Sequence, residues 1–152
     1  TELDRARRAW LSGLAGIEPE SFKKEFFAVG SLLAGGEVDE VLNADRKEFD
    51  DEGVRVTIAQ IEELGLQPLE GRRQELMTGL AALAADEGFD LAVLAITDIA
   101  RHHSVVLAAG DERLVETLPF ERISRGCYDA PGVVSRKKQI FPAVCQAIRR
   151  LP

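Results

Sequence analysis

Three consecutive cations, Arg136, Lys137 and Lys138, follow a serine in Val133-Val134-Ser135-Arg136-Lys137-Lys138-Gln139. Ser135 is a natural helix N-cap, with a hydroxyl that accepts from a backbone N–H one turn further on. Cations just after an N-cap stand at the positive end of the helix macrodipole, at a cost of a few tenths to about 1 kcal/mol each. They also stand out in a chain of net charge −7. Free N–H groups, a hydroxyl and three cations in one place suit a small polyanion, phosphate above all. By residue type alone, a solvated basic turn is the other reading.

Four further places carry residues capable of chemistry. Lys47, in Asp45-Arg46-Lys47-Glu48-Phe49, reads alone as an exposed strand lysine. Gln60 reads as a strand residue paired to neighbouring backbone. Thr97-Asp98-Ile99 follows an apolar run, and a carboxylate at the C-terminal end of a strand is a frequent functional address in α/β folds; turn bonding is the reading favoured for Asp98. Arg101-His102-His103-Ser104 suggests a metal at first sight. Adjacent side chains in an extended segment point to opposite faces, however, and no second cluster supplies the remaining ligands. No metal is expected there.

Composition narrows the classes. A chain of 152 residues, 45% hydrophobic and 30% charged, supports one domain with a sizeable core. The acidic balance argues against nucleic acid as a partner, which needs a basic face. No apolar run reaches the roughly 20 residues that span a bilayer, and no membrane association is expected. Cys127 and Cys145 lack metal-ligand spacing and read as reduced thiols of a cytoplasmic protein. The acidic residues at 37–40 and 50–52 read as solvated surface.

The elements that must position these residues follow from periodicity. Residues 3–15 read as an amphipathic helix. A second helix opens at Pro19, with Phe22, Phe26, Val29, Leu32 and Leu33 on its apolar face, and stops at Gly35-Gly36. Further helices are expected at 37–42, 70–87, 111–118 and 142–151. Strands are expected at 45–49, 53–61, 91–96 and 105–109, with short ones at 120–123 and 133–134. The alternation indicates an α/β fold: a mixed, mostly parallel sheet of about five strands flanked by helices, in a single domain. Pro142 cannot lie deep in an unbroken helix. Residues 135–139 therefore form either the kinked first turns of the last helix or a separate turn before it.

Gly132-Val-Val-Ser-Arg-Lys-Lys-Gln139, followed by Pro142, resembles the C-terminal signature of the family II, manganese-dependent inorganic pyrophosphatases and related exopolyphosphatase-like proteins. That signature lies in their second domain, the DHH-associated domain of the second type. Asp45-x-Lys47-x-Phe49, Ala59-Gln60-Ile61 and Thr97-Asp98-Ile99 with Ser104 extend the resemblance over most of residues 22–142. The resemblance implies that Arg136 and Lys137 hold substrate phosphates, with Lys47 as a third cation and Ser135 and Lys138 in the same basic turn. Asp45 would have a structural role, fixing its turn, and Arg46 would lie on the opposite face from Lys47.

It also implies that this chain supplies no nucleophile, base or metal ligand. Mn²⁺ or Mg²⁺ would belong to an N-terminal DHH domain of the same polypeptide, whose Asp-His-His motif this sequence lacks. A chain opening at Thr1 without methionine fits a domain cut from a longer polypeptide. Residues 1–18 would be an N-terminal helical extension and 19–152 the substrate-binding domain. The expected function is the substrate clamp of a metal-dependent hydrolase of pyrophosphate or polyphosphate, inactive when isolated. An anion- or nucleotide-sensing regulatory module uses the same cations without a hydrolase partner. A scaffold with a purely structural basic turn is a third reading, and a second copy of the chain is a further candidate partner.

Overall fold

The computed structural model describes residues 31–151. The helix expected at 3–15, most of the one opening at Pro19 and the proposed boundary at residue 18 lie outside them. The first described element is a short helix, α1 (Leu32–Gly35). Ser31 is extended, and its hydroxyl accepts from Ala34 N at 3.0 Å, so α1 starts at its own cap instead of continuing from earlier residues. Helix α2 (Val38–Asn43) follows, closed by a reciprocal capping box between Glu37 and Glu40.

Strands β1 (Lys47–Asp51) and β2 (Val54–Glu63) form a hairpin. Its two-residue turn, Glu52-Gly53, has positive φ at both positions, the twist that matches the strands it joins. A 3₁₀ turn at Gln67–Leu69 leads into α3 (Arg73–Glu87), which ends on Gly88 in the left-handed conformation. Helix α3 buries Leu76, Leu80 and Ala84 and carries the chain over to β3 (Leu91–Asp98), parallel to β2. This is a βαβ unit.

Strand β4 (His103–Gly110) returns antiparallel to β3, and α4 (Glu112–Thr117) follows it. A second hairpin, β5 (Glu121–Ser124) and β6 (Cys127–Pro131), completes a six-stranded sheet of order β1-β2-β3-β4-β6-β5. A π-turn at Arg136–Ile140 runs directly into the last helix, α5 (Phe141–Arg149).

The sheet has one apolar layer on each face. Ala92, Leu94 and Ile96 of β3 pack with Leu76, Leu80 and Ala84 of α3 and with Val41 and Leu42 of α2. Leu91, Val93 and Ala95 point the other way, to Leu114 of α4, Ile140 of the π-turn and Val144 and Ile148 of α5. All eight residues of β3 are buried, as a near-continuous apolar run requires when both faces are covered.

The α/β class and the flanking helices are those the sequence implied, but the sheet differs in detail. It has six strands, and only β2 and β3 are parallel. The reason lies in connection length. Four residues, 99–102, separate β3 from β4, too few for the crossover that a parallel pair needs. Val133 and Val134 are not a strand: they lie in a loop after β6. Cys-Tyr-Asp-Ala-Pro at 127–131 is the strand in their place, its pattern obscured by Asp129 and Pro131.

Pro142 has no N–H to continue an α-helical ladder, and its ring would press on the carbonyl four residues back. The turn before it is accordingly wide. Ile140 N donates to Ser135 O and Phe141 N to Arg136 O, both five residues back. The basic residues are thus the opening turn of α5, spread by its proline.

Leu94 is fully buried, whereas Ile123 is 49% exposed. Leu94→Ala should lower unfolding stability by about 2–5 kcal/mol. Ile123→Ala should stay within about 0.5 kcal/mol of wild type in the same urea titration.

Candidate anion site at the end of the parallel pair

Polar residues of three adjacent strands meet below the loop Gly132–Ser135. Gln60 of β2, Thr97 of β3 and Ser104 of β4 lie side by side on the face covered by α5. Thr97 and Ser104 are register partners, and both are buried. Gln60 Nε2 donates to Thr97 Oγ1 at 3.1 Å and to Val134 O at 3.1 Å. Thr97 Oγ1 and Ser104 Oγ are 2.8 Å apart, and Ser104 Oγ donates to Val133 O at 2.6 Å. The Ser104 proton goes to Val133, so the Thr97 hydroxyl donates to Ser104 and accepts from Gln60. The ladder has one direction, from the Gln60 amide to the Val133 carbonyl.

Gln139 completes the loop from above. Its Oε1 accepts from Val134 N at 2.8 Å and Ser135 N at 3.0 Å, while its Nε2 donates to Gly132 O at 3.0 Å. Gly132 N donates to His102 O and Val133 N to Ala130 O. Every backbone N–H and C=O from Gly132 to Ser135 therefore has a partner, a rare degree of definition for a surface loop.

The loop delivers the cations. Ser135 Oγ accepts from Lys138 N at 3.1 Å, the capping bond expected of it. The amides of Arg136 and Lys137 have no acceptor among the described residues. Lys137 and Lys138 are exposed. The side chain of Arg136, only 16% exposed, lies along the sheet: Nη1 donates to Asp45 O and, at 3.4 Å, to Ile58 O, and Nη2 meets Asp45 Oδ2 at 3.1 Å.

Ile58 is the register partner of Lys47, so the Arg136 guanidinium bonds the backbone directly across from Lys47. Phe49, two residues after Lys47, packs on Phe141 with ring centroids 4.4 Å apart, tying β1 to the start of α5. Arg46 faces the other way, toward Thr57 Oγ1 at 3.4 Å and over the ring of Phe89. The Arg136 guanidinium thus lies over the middle of β2, at Ile58, next to the first residue of β1.

The remaining candidates take structural positions. Asp98 is buried and accepts from Ala100 N at 3.1 Å, Arg101 N at 3.2 Å and Arg101 Nη1 at 2.9 Å, closing the β3–β4 turn. His102 is exposed in the left-handed region, and His103 pairs with Asp129 of β6. Among the described residues, no group of three His, Cys, Asp or Glu side chains could hold a metal ion. The sequence reading missed Thr97, Ser104 and Gln139 as a connected set. Their signal was a hydroxyl residue in each of two apolar strands flanking one short loop. Gln60 does reach backbone, but of a loop 74 residues away.

Asp98 and its register partner Glu63 titrate in opposite directions. Burial pushes Asp98 up, yet the hydrogen bonds from the Arg101 side chain and from the Arg101 and Ala100 amides outweigh it and hold the carboxyl below its ordinary 3.8. Burial raises Glu63 against the opposing bonds from Ser31 and Leu33.

Thr97→Val keeps the shape of the ladder while removing its central hydroxyl. It should cost about 1–3 kcal/mol and speed hydrogen exchange at the Val134 and Ser135 amides. A folded-state pKa below the unfolded one stabilises the protein above the unfolded value, and that contribution is lost as pH falls through the folded value. Asp98→Asn should therefore lower stability at pH 7 by about 1–3 kcal/mol. Its acid unfolding curve should be shallower below about pH 4.

The DHHA2 domain family model matches residues 24–147. A cobalt-dependent inorganic pyrophosphatase of Clostridium perfringens is 37% identical over 142 residues, covering 91% of this chain and 25% of that protein. A manganese-dependent inorganic pyrophosphatase of Methanocaldococcus jannaschii is 31% identical over 148 residues, covering 97% and 48%. A solved structure from Methanococcus jannaschii, assigned to the family II inorganic pyrophosphatases, superposes with a TM-score of 0.71 at 31% identity, covering 98% of this chain and 49% of that one. The chain thus spans a quarter to a half of the length of these relatives. With a matching family model over most of its length and the same fold in a relative, the chain belongs to the DHHA2 domain family.

Proposed function

We propose that this chain is the substrate-binding domain of a metal-dependent phosphoanhydride hydrolase, and that residues 19–152 form that domain. Its substrate is pyrophosphate or a longer polyphosphate. Arg136, Lys137 and Lys47 hold the phosphates, Ser135 fixes the turn that carries the first two, and Lys138 adds charge at its rim. One observation carries the reading: from a fully hydrogen-bonded loop, Arg136 reaches Asp45 and Ile58, the residue two before Lys47 and its partner across the hairpin, far away in sequence. The pyrophosphatase relatives support it from a separate direction.

The chemistry that these residues can perform is electrostatic. Arg136 gives a planar pair of N–H donors, while Lys137 and Lys47 give compact charges. Charge that develops on phosphoryl oxygens in the transition state is met by donors already in position, without reorganisation at the moment of reaction. The described residues do not fit a Mn²⁺ or Mg²⁺ site, and no step assigned to them passes through the metal. In this reading the ion is held by an N-terminal DHH domain of the same polypeptide, and this chain closes over that domain's substrate.

The test is kinetic, on the chain joined to its metal-binding domain. Arg136→Lys should lower kcat about tenfold or more, a loss of about 1.4 kcal/mol, because an ammonium cannot reproduce the guanidinium fork. Lys137→Ala and Lys47→Ala should each raise KM, lower kcat or both, and Lys138→Ala should have the smallest effect. The chain alone, with Mn²⁺, should hydrolyse pyrophosphate no faster than buffer. Near-wild-type kinetics for the Arg136, Lys137 and Lys47 variants would reduce the basic turn to a structural one.

A further inference from the structure

Asp45 is 61% exposed, yet it adopts φ 45°, a conformation that non-glycine residues seldom take. With the Asp45 carboxylate largely in solvent, its ion pair is screened and contributes little to stability, so the strained φ is not explained by holding the fold together. In this conformation its carbonyl and its carboxylate both face one guanidinium: Asp45 O accepts from Nη1 and Oδ2 from Nη2 of Arg136. Ile58 O takes the other Nη1 donor. The acceptors are carried by fixed backbone, since Gln60 N bonds Ala44 O at 3.3 Å and ties the approach to β1 onto β2.

A guanidinium has five N–H donors. Three are engaged, all at the Nη end. The Nε–H and the second Nη2–H have no acceptor among the described residues, and Nε is not buried. Those two donors share the opposite edge of the plane, the fork that matches two oxygens of one phosphoryl group.

We propose that Asp45 is a positioning residue: it grips Arg136 by the Nη end and presents the Nε–H/Nη2–H edge, preset, to a phosphoryl group. The inference rests on the reading above that Arg136 meets phosphate, and it adds the part of the arginine that does so. Asp45 also stands two residues before Lys47, so one stretch of backbone sets the places of both cations.

The test uses the 152-residue chain and two variants. Asp45→Gly accepts positive φ without strain and removes the carboxylate with its Cβ, leaving the backbone carbonyl in place. Asp45→Asn keeps a side-chain acceptor and tolerates the same φ. Without ligand, ¹⁵N NMR of the wild type should show hindered rotation of the Arg136 guanidinium and a slowly exchanging Nε–H. Asp45→Gly should free that rotation, and Asp45→Asn should largely restore it. Titrated with pyrophosphate, the wild-type Nε–H should shift, and Asp45→Gly should bind about three- to tenfold more weakly. Unchanged guanidinium rotation in Asp45→Gly overturns the proposal without reference to any ligand. Tighter pyrophosphate binding in Asp45→Gly also overturns it, because Asp45 would then be a competing anion. Arg136→Ala judges the underlying reading separately: unchanged pyrophosphate affinity would remove phosphate from Arg136 while leaving the rotation result to decide the role of Asp45.

Discussion

The carbonyls of Val133 and Val134 are turned toward the sheet, where each needs a donor. Ser104 supplies one and Gln60 the other, with Thr97 joining the two donors into a single ladder across three strands. The rest of the site depends on this interaction. With both carbonyls fixed, the direction of the chain at Ser135 is fixed, and with it the start of α5 and the places of Arg136, Lys137 and Lys138. Removing one hydroxyl strands the partners on either side, which makes such a network stiff when complete and costly when broken.

The site also shows what a rigid sheet permits at its rim. Two lysines at the positive end of a helix and a guanidinium laid over a strand are unfavourable for a protein that needs only to fold. The apolar layers on both faces of β3 make that arrangement tolerable, since they do not rest on Arg136, Lys137 or Lys138. The opposing terms are local and small, and the core is extensive. Cations held ready, with the amides of Arg136 and Lys137 unpaired among the described residues, are pre-organised for an anion and gain little from each other.

The basic turn was legible because its residue types conflict with their place in a helix, and Ser135 signalled the cap that the structure shows. The α/β class was legible in the apolar run at 91–96 and the periodicity at 76–84. Sheet direction was not read correctly, although the short segment after Asp98 contained the information: a strand that returns after four residues must pair antiparallel. Strand β6 was hidden because Asp129 and Pro131 break its apolar pattern, while Val133-Val134 imitates a strand. The ladder was illegible as a network, because Gln60, Thr97, Ser104 and Gln139 become neighbours only through sheet register and loop path. Asp45 was expected to have a structural role at its turn. The contact with Arg136, 91 residues away, required the fold.

In the proposed function the basic turn and Lys47 form one phosphate-binding site. Amide NMR of the chain titrated with pyrophosphate, at low and at raised salt, tests it most directly. The largest shifts should fall on residues 135–139 with a second group around Lys47, and binding should weaken as screening shortens the reach of the exposed charges to about 8–10 Å. Shifts centred on His102 and His103, or shifts at the turn without any at Lys47, would contradict it.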